Sequence, residues 1–221
     1  ALALLAARSA GEGARMACYL RTLPAAYTVP LFWTPEAIGL LQYPTVQAQL
    51  LKTAKFVQSF AAEHLGEASK PEFSGLSVTS DAFGWAVATC TSRAFSVGGE
   101  RVLCPIIDLG NHAPSGEANC EVRGDALSGR VQLVALRDIA LGEEVTYCYG
   151  SLSNDVFLLD YGFLPGEGSV PNAHDDCTLS WAEGELLATA CGAAGMKGLG
   201  SNLADWQVAA RDAAAAGEVA T

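Results

Sequence analysis

After Pro44, apolar residues recur at Val46, Leu50, Ala54, Val57, Ala61 and Leu65, the three-and-four spacing of a single helical face. Gly66 is placed to end that helix. Shorter helical patterns precede it: Leu2 to Arg8, ending near Gly11, and Ala14 to Leu20, stopped by Pro24. Thr34-Pro35-Glu36 offers a threonine N-cap with proline at the first helical position. Ser80-Asp81 opens another helix, with Phe83, Val87 and Cys90 on one side, running to about Arg93.

The period changes after Gly98-Gly99. Val131, Leu133 and Ala135 alternate with Gln132, Val134 and Leu136, which predicts a strand buried on at least one face. Leu141-Gly142-Glu143-Glu144 reads as a turn, and Val145, Tyr147 and Tyr149 alternate with Thr146 and Cys148 as the next strand. Ser153 can cap a short helix that Gly162 ends. Beyond Pro165 the chain turns Gly-, Ala- and Ser-rich, with a strand expected at Thr178 to Trp181, a helix at Glu185 to Ala190, and a fraying end at Ala213 to Thr221. The expected class is α+β.

Composition narrows this picture. With 50 % hydrophobic and 17 % charged residues, the 221-residue chain can bury a globular core. No apolar run approaches the ~18 residues that cross a bilayer, so no membrane partner is expected. The net charge of −11 repels phosphate backbones and disfavours nucleic acid as a partner. The seven cysteines are scattered, and none forms a Cys-x-x-Cys pair. His174, Cys177 and Cys191 lack a fourth ligand, so no metal is expected, and buried thiols point to a reducing, intracellular compartment.

Candidate chemistry lies between Cys104 and Phe163. Asp108-Leu109-Gly110-Asn111-His112 follows an apolar segment, Cys104 to Ile107, that is expected to be buried, and Asp160-Tyr161-Gly162-Phe163 closes the short helix. Asn-His alone would be a loop pair bonding its own backbone, and Tyr161 alone a half-buried aromatic. Their order, with the Gly-Glu-Glu turn between them, resembles the cofactor and catalytic core of SET-domain protein methyltransferases. The string Ser92-Arg93-Ala94-Phe95 is similar to the branch that contains the plant Rubisco lysine methyltransferases.

The resemblance implies a SET β core with pseudoknot-like threading, a large helical insert and the start of a helical C-terminal domain. Those parts would fall at residues 1–98 for the insert, 99–165 for the C-terminal SET core and 166–221 for the substrate-binding domain. It implies S-adenosylmethionine as cofactor, Arg93 pairing with its carboxylate, and Asp108, Leu109, Gly110, Asn111, His112 and Tyr149 forming the pocket. Tyr161 would be the catalytic residue, positioning a neutral lysine amine of a protein substrate for in-line attack on the methyl. Phe157 and Phe163 are expected to pack in the core with an edge towards the cofactor. A protein-histidine target is the alternative within this branch, and a non-catalytic binding module with a relic pocket is the rival from another class. Cys177-Thr178-Leu179 stands where the branch often places an aromatic against the substrate lysine, and a thiol cannot stack in that way. Plastid, cytosol and nucleus are all compatible with the resemblance.

In the family, strands with a Gly-x-Gly turn that contacts the cofactor precede the helical insert. Gly11-Glu12-Gly13 has the letters but sits between helical segments, so these strands are expected upstream of Ala1. Calorimetry should then find weak or no S-adenosylmethionine binding by these 221 residues and tight binding once such a segment is joined. Tight binding by the 221 residues alone would remove the expectation.

Overall fold

The computed structural model describes residues 1–13, 15–66, 71–73, 78–125, 128–166 and 171–176; helices occupy its first part and short strands its second. Helices α1 (Leu2–Ser9) and α2 (Ala17–Leu20) flank the turn at Gly11, whose φ is 71°. In α3 (Pro35–Gly39) the Thr34 hydroxyl accepts the Ala37 N–H at 3.3 Å, the cap that the sequence predicts. Helix α4 (Pro44–His64) buries Val46, Leu50, Val57 and Ala61, with Leu65 buried just past its end. Each large side chain removed from water in this way contributes roughly 1.5–3 kcal/mol.

Helix α5 (Ser80–Arg93) is central. Thr79 caps it by accepting the Ala82 N–H at 3.2 Å, and Phe83, Gly84, Trp85, Ala86, Ala88 and Thr89 are all buried. It is therefore covered on more than the one face expected. Val87 and Cys90 are only half-buried: they pack against the core that holds Phe83 and also line a cavity. The core joins Leu4 and Leu5 of α1, Tyr19 of α2 and Val57 and Ala61 of α4 to Phe83, Trp85 and Ala86. Trp85 fixes the loop before α3, since its Nε1 donates to the Pro24 carbonyl at 2.8 Å. The Arg8 guanidinium lies 4.5 Å over the same ring, a cation–π contact that ties α1 to α5.

Strands begin at Ala94, ahead of the glycine pair. Antiparallel β1 (Ala94–Val97) and β2 (Glu100–Leu103) flank Gly98 and Gly99, whose φ values are 60° and 84°. Two successive positive φ angles suit a two-residue hairpin, so these glycines reverse a chain that is already extended. A second sheet has the order β3-β6-β4-β5, from β3 (Asn111–His112), β4 (Cys120–Asp125), β5 (Arg130–Ala135) and β6 (Thr146–Tyr147). Strand β6 runs parallel to both neighbours, pairing Asn111 with Thr146 and Cys120 with Tyr147. The expected strand over 131–136 is present, but as the edge strand it buries no residue fully, and Leu136 is 52 % exposed. The strand expected over 145–149 contracts to Thr146–Tyr147, because Tyr149 turns to bond elsewhere.

Helix α6 (Asn154–Val156) continues as a π-helical turn (Phe157–Tyr161) and ends at Gly162, where φ is 79°. A Cβ there would lie 2.7 Å from the Thr28 hydroxyl and 2.9 Å from the Val29 nitrogen, so only glycine permits this docking. The strand expected at Thr178 to Trp181, the helix at Glu185 to Ala190, the Ala213–Thr221 end, Cys177 and Cys191 lie outside the described residues. No helix among the described residues is long and apolar enough to cross a membrane.

Ile106 has φ 75° and ψ −49° with 79 % of its surface exposed, a β-branched residue in a region that disfavours side chains. Ile106→Gly should therefore raise stability by about 1 kcal/mol in urea denaturation. A loss of stability would show that the side chain itself holds the loop.

Candidate functional site

Arg93 is the last residue of α5, and its side chain is 20 % exposed at the wall of a cavity of about 240 Å³. Phe95, Tyr147, Cys148, Tyr149 and Tyr161 complete much of that wall. Arg93 Nη1 donates to the Asp108 carbonyl at 2.8 Å and stands 3.8 Å from Asp108 Oδ2. The Asp108 side chain has no exposure, and the Tyr19 hydroxyl donates to its Oδ2 at 2.6 Å. Burial, and then the bond to Asp108, push the Tyr19 phenol well above its usual pKa, so Tyr19 remains a proton donor. Arg93 Nε and Asp108 Oδ1 are buried without a protein partner among the described residues.

A 3-10 turn (Ile107–Leu109) carries Asp108 and delivers the Asn111–His112 strand to the sheet. His112 Nδ1 accepts the Tyr149 N–H at 3.1 Å, and the Tyr149 hydroxyl donates to the Gly110 carbonyl at 2.8 Å. Gly110 makes room for the cavity wall: a Cβ there would come within 2.7 Å of the Tyr147 ring. Asn111 Nδ2 donates to Glu144 Oε1 at 2.6 Å, which ties the motif to the turn before β6. Burial lowers the His112 pKa, matching a neutral ring whose Nδ1 is an acceptor.

The sequence-marked residues therefore divide. Arg93, Tyr149 and Tyr161 line the cavity, whereas the residues from Asp108 to His112 do not. Leu109 is 50 % exposed, Asn111 is exposed, and Asp108, Gly110 and His112 act through Arg93, Tyr147 and Tyr149. Phe157 is buried in the core as expected, while Phe163 is 37 % exposed.

Tyr161 packs with its ring centroid 5.0 Å from that of Tyr149 and 6.3 Å from that of Phe163. No hydrogen bond engages its hydroxyl among the described residues. Burial and then the neighbouring Asp160 raise its pKa, so the phenol is neutral at pH 7. Tyr149 and Tyr161 also border a second cavity of about 810 Å³, walled by Leu4, Leu20, Val87 and Leu103 among others. The two tyrosines are thus common to a small polar cavity and a larger apolar one.

Three residues of the site were not legible in the sequence. Tyr19 lies in a short helix with no motif around it. Arg101 borders both cavities while its Nη2 donates to the Cys90 and Thr91 carbonyls near the end of α5, at 3.0 and 3.3 Å. Asn119, only 2 % exposed, donates to the Glu144 carbonyl at 2.7 Å and accepts the Thr146 N–H at 2.9 Å, fixing the start of β6. Arg137 holds the Glu143 carboxyl in the same turn down at about 2.

The family model for the SET domain matches residues 8–150. The chain is 29 % identical over 182 residues to the actin-histidine N-methyltransferase of Danio rerio, covering 76 % of this chain and 29 % of that protein. It is 30 % identical over 195 residues to SET domain-containing protein 4 of Mus musculus, covering 77 % of this chain and 41 % of that one. The chain thus spans less than half the length of these relatives. Among solved structures it resembles Rubisco LSMT bound to AdoMet, with a TM-score of 0.61, 25 % identity, and coverage of 75 % of this chain and 39 % of that one. The SET domain of LSMT bound to lysine and AdoHcy gives a TM-score of 0.58 at 27 % identity, with coverage of 74 % and 40 %.

The lowered His112 pKa has a definite consequence. The unfolded imidazole, with pKa about 6.5, binds protons that the folded one refuses, so stability falls as pH drops below about 6.5 towards the folded value. Urea denaturation at pH 7.5 and 5.5 should show this loss. His112→Gln, which keeps an acceptor for the Tyr149 N–H, should remove that part of it. An equal acid loss in the variant would clear His112 of the effect.

Proposed function

The chain belongs to the SET-domain family, and from that premise we propose that it forms part of an S-adenosylmethionine-dependent enzyme that methylates a lysine side chain of a protein. The observation that carries this reading is the cavity where Arg93 meets the Tyr149–Tyr161 pair. Its donor set suits the methionyl end of the cofactor. A guanidinium with a buried, unpartnered Nε can take a carboxylate, and aromatic faces suit a sulfonium cation. At about 240 Å³ the cavity is smaller than the ~300–1,000 Å³ of sites that enclose a drug-sized ligand, so it matches that end and not the whole nucleoside.

The bound cofactor would supply a methyl group on a cationic sulfur. Arg93 would hold its carboxylate and set its direction. The Tyr161 hydroxyl, neutral and without a hydrogen bond among the described residues, would orient the incoming nitrogen lone pair at the edge of the apolar cavity. That cavity disfavours a charged ammonium, so the lysine amine is driven towards the neutral form that can attack. A neutral amine that received this methyl from the sulfonium would carry one extra proton, which solvent would take up, and the cofactor would be left as a neutral thioether. Tyr149, tethered to Gly110 and His112, keeps the facing wall in place.

A histidine target is the second reading, favoured by the likeness to the actin-histidine N-methyltransferase. Mass spectrometry of the modified residue separates the two, and methylhistidine without methyl-lysine would overturn the lysine assignment. Tyr161→Phe should lower kcat about 100-fold or more, in the range of lost positioning and electrostatic contacts, while changing cofactor affinity less than about threefold. Unchanged turnover would remove Tyr161 from this role.

A further inference from the structure

Tyr19 lies 89 positions before Asp108 and belongs to the helical part of the chain, yet its hydroxyl bonds the Asp108 carboxylate at 2.6 Å. That carboxylate has no exposure and faces Arg93 Nη1 at 3.8 Å, while the Asp108 carbonyl accepts from the same nitrogen at 2.8 Å. Asp108 thus grips the guanidinium twice, and Tyr19 is the protein donor that fixes the Asp108 side chain in that position. We propose that Tyr19 is a positioning residue for the cofactor carboxylate, acting through Asp108 to aim Arg93 into the small cavity. This rests on the reading of Arg93 given above.

The physical reason is the scarcity of partners. Among the described residues, Asp108 Oδ1 and Arg93 Nε are both buried without a protein bond, so the carboxylate is restrained by the Tyr19 hydroxyl and the Arg93 contact alone. A buried carboxylate that loses its donor turns towards the nearest cation. For Asp108 that cation is Arg93, and a closer ion pair would withdraw the guanidinium from an incoming carboxylate. Tyr19 itself is buried in the helical core, so its ring is held by packing whether or not the hydroxyl is present.

The test compares two ligands by calorimetry on the polypeptide joined to its upstream segment, the form expected to bind the cofactor: S-adenosylhomocysteine and its decarboxylated counterpart, S-adenosyl-3-thiopropylamine. The unmodified protein should prefer the carboxylate-bearing ligand by about tenfold or more, as befits a charge-assisted contact. Tyr19→Phe should shrink that preference to about threefold or less while leaving the affinity for the decarboxylated ligand within about twofold. Equal weakening of both ligands, or an unchanged preference, would overturn the proposal, since a purely structural role moves both together. Arg93→Ala separates the two layers: a preference that survives it, or none in the unmodified protein, refutes the assignment of Arg93 itself. If Tyr19→Phe does not fold, Asp108→Asn keeps an acceptor for the Tyr19 hydroxyl but removes the charge facing Arg93. With that competing charge gone and the backbone contact to Arg93 kept, the same preference must be held or raised, and a fall there would equally overturn the inference.

Discussion

The buried carboxylate of Asp108 is the constraint on which the rest of the site depends. An ionised group removed from water costs several kcal/mol unless it is paired and hydrogen-bonded. Here the pairing draws on two distant parts of the chain, the Tyr19 hydroxyl from α2 and the Arg93 guanidinium from the end of α5. Satisfying one charge therefore fastens the helical part of the protein to the strand segment. It also decides where Arg93 sits, and with it one wall of the cavity.

The opposite wall is organised by backbone demands. His112 takes the Tyr149 N–H, and Tyr149 returns a hydrogen bond to Gly110, so the Asn-His strand and the segment after β6 lock each other. Gly110 and Gly162 serve the same end by omitting a side chain where two segments meet. A Cβ at the first would strike the Tyr147 ring, and one at the second would strike Thr28 and Val29. Tyr161, one residue before Gly162, is thereby held beside Tyr149, its hydroxyl without a hydrogen bond among the described residues. Burial keeps the phenols of Tyr149 and Tyr161 protonated, so this wall presents neutral donors and ring faces in place of charge.

Much of the fold could be read from periodicity and punctuation. The stripe of α4, the Thr34 cap, the α5 helix and the stop at Gly162 all follow from local rules, because spacing, capping and left-handed glycine are properties of a few neighbouring residues. Short strands were less legible. β3 is two residues long and exists only because β6 lies alongside, so no internal alternation announces it, while the alternation over 145–149 announced β6 but overstated its length. The Gly98-Gly99 pair was visible, but its meaning as a hairpin turn required knowing that Ala94–Val97 was already extended.

For the site, the sequence by itself determined the chemical inventory: an arginine closing a helix, the Asn-His motif, and a tyrosine before a glycine at a short helix end. Such residues recur with local context that a reader of the chain can recognise. Only the tertiary structure decided where they stand relative to one another. It placed Arg93, Tyr149 and Tyr161 around a common cavity and left Asp108 to His112 outside that wall as its supports. It also brought in Tyr19, which no motif marks. The reason is that a buried charge must be satisfied wherever a donor can reach it in space, and that reach is set by packing and not by distance along the chain.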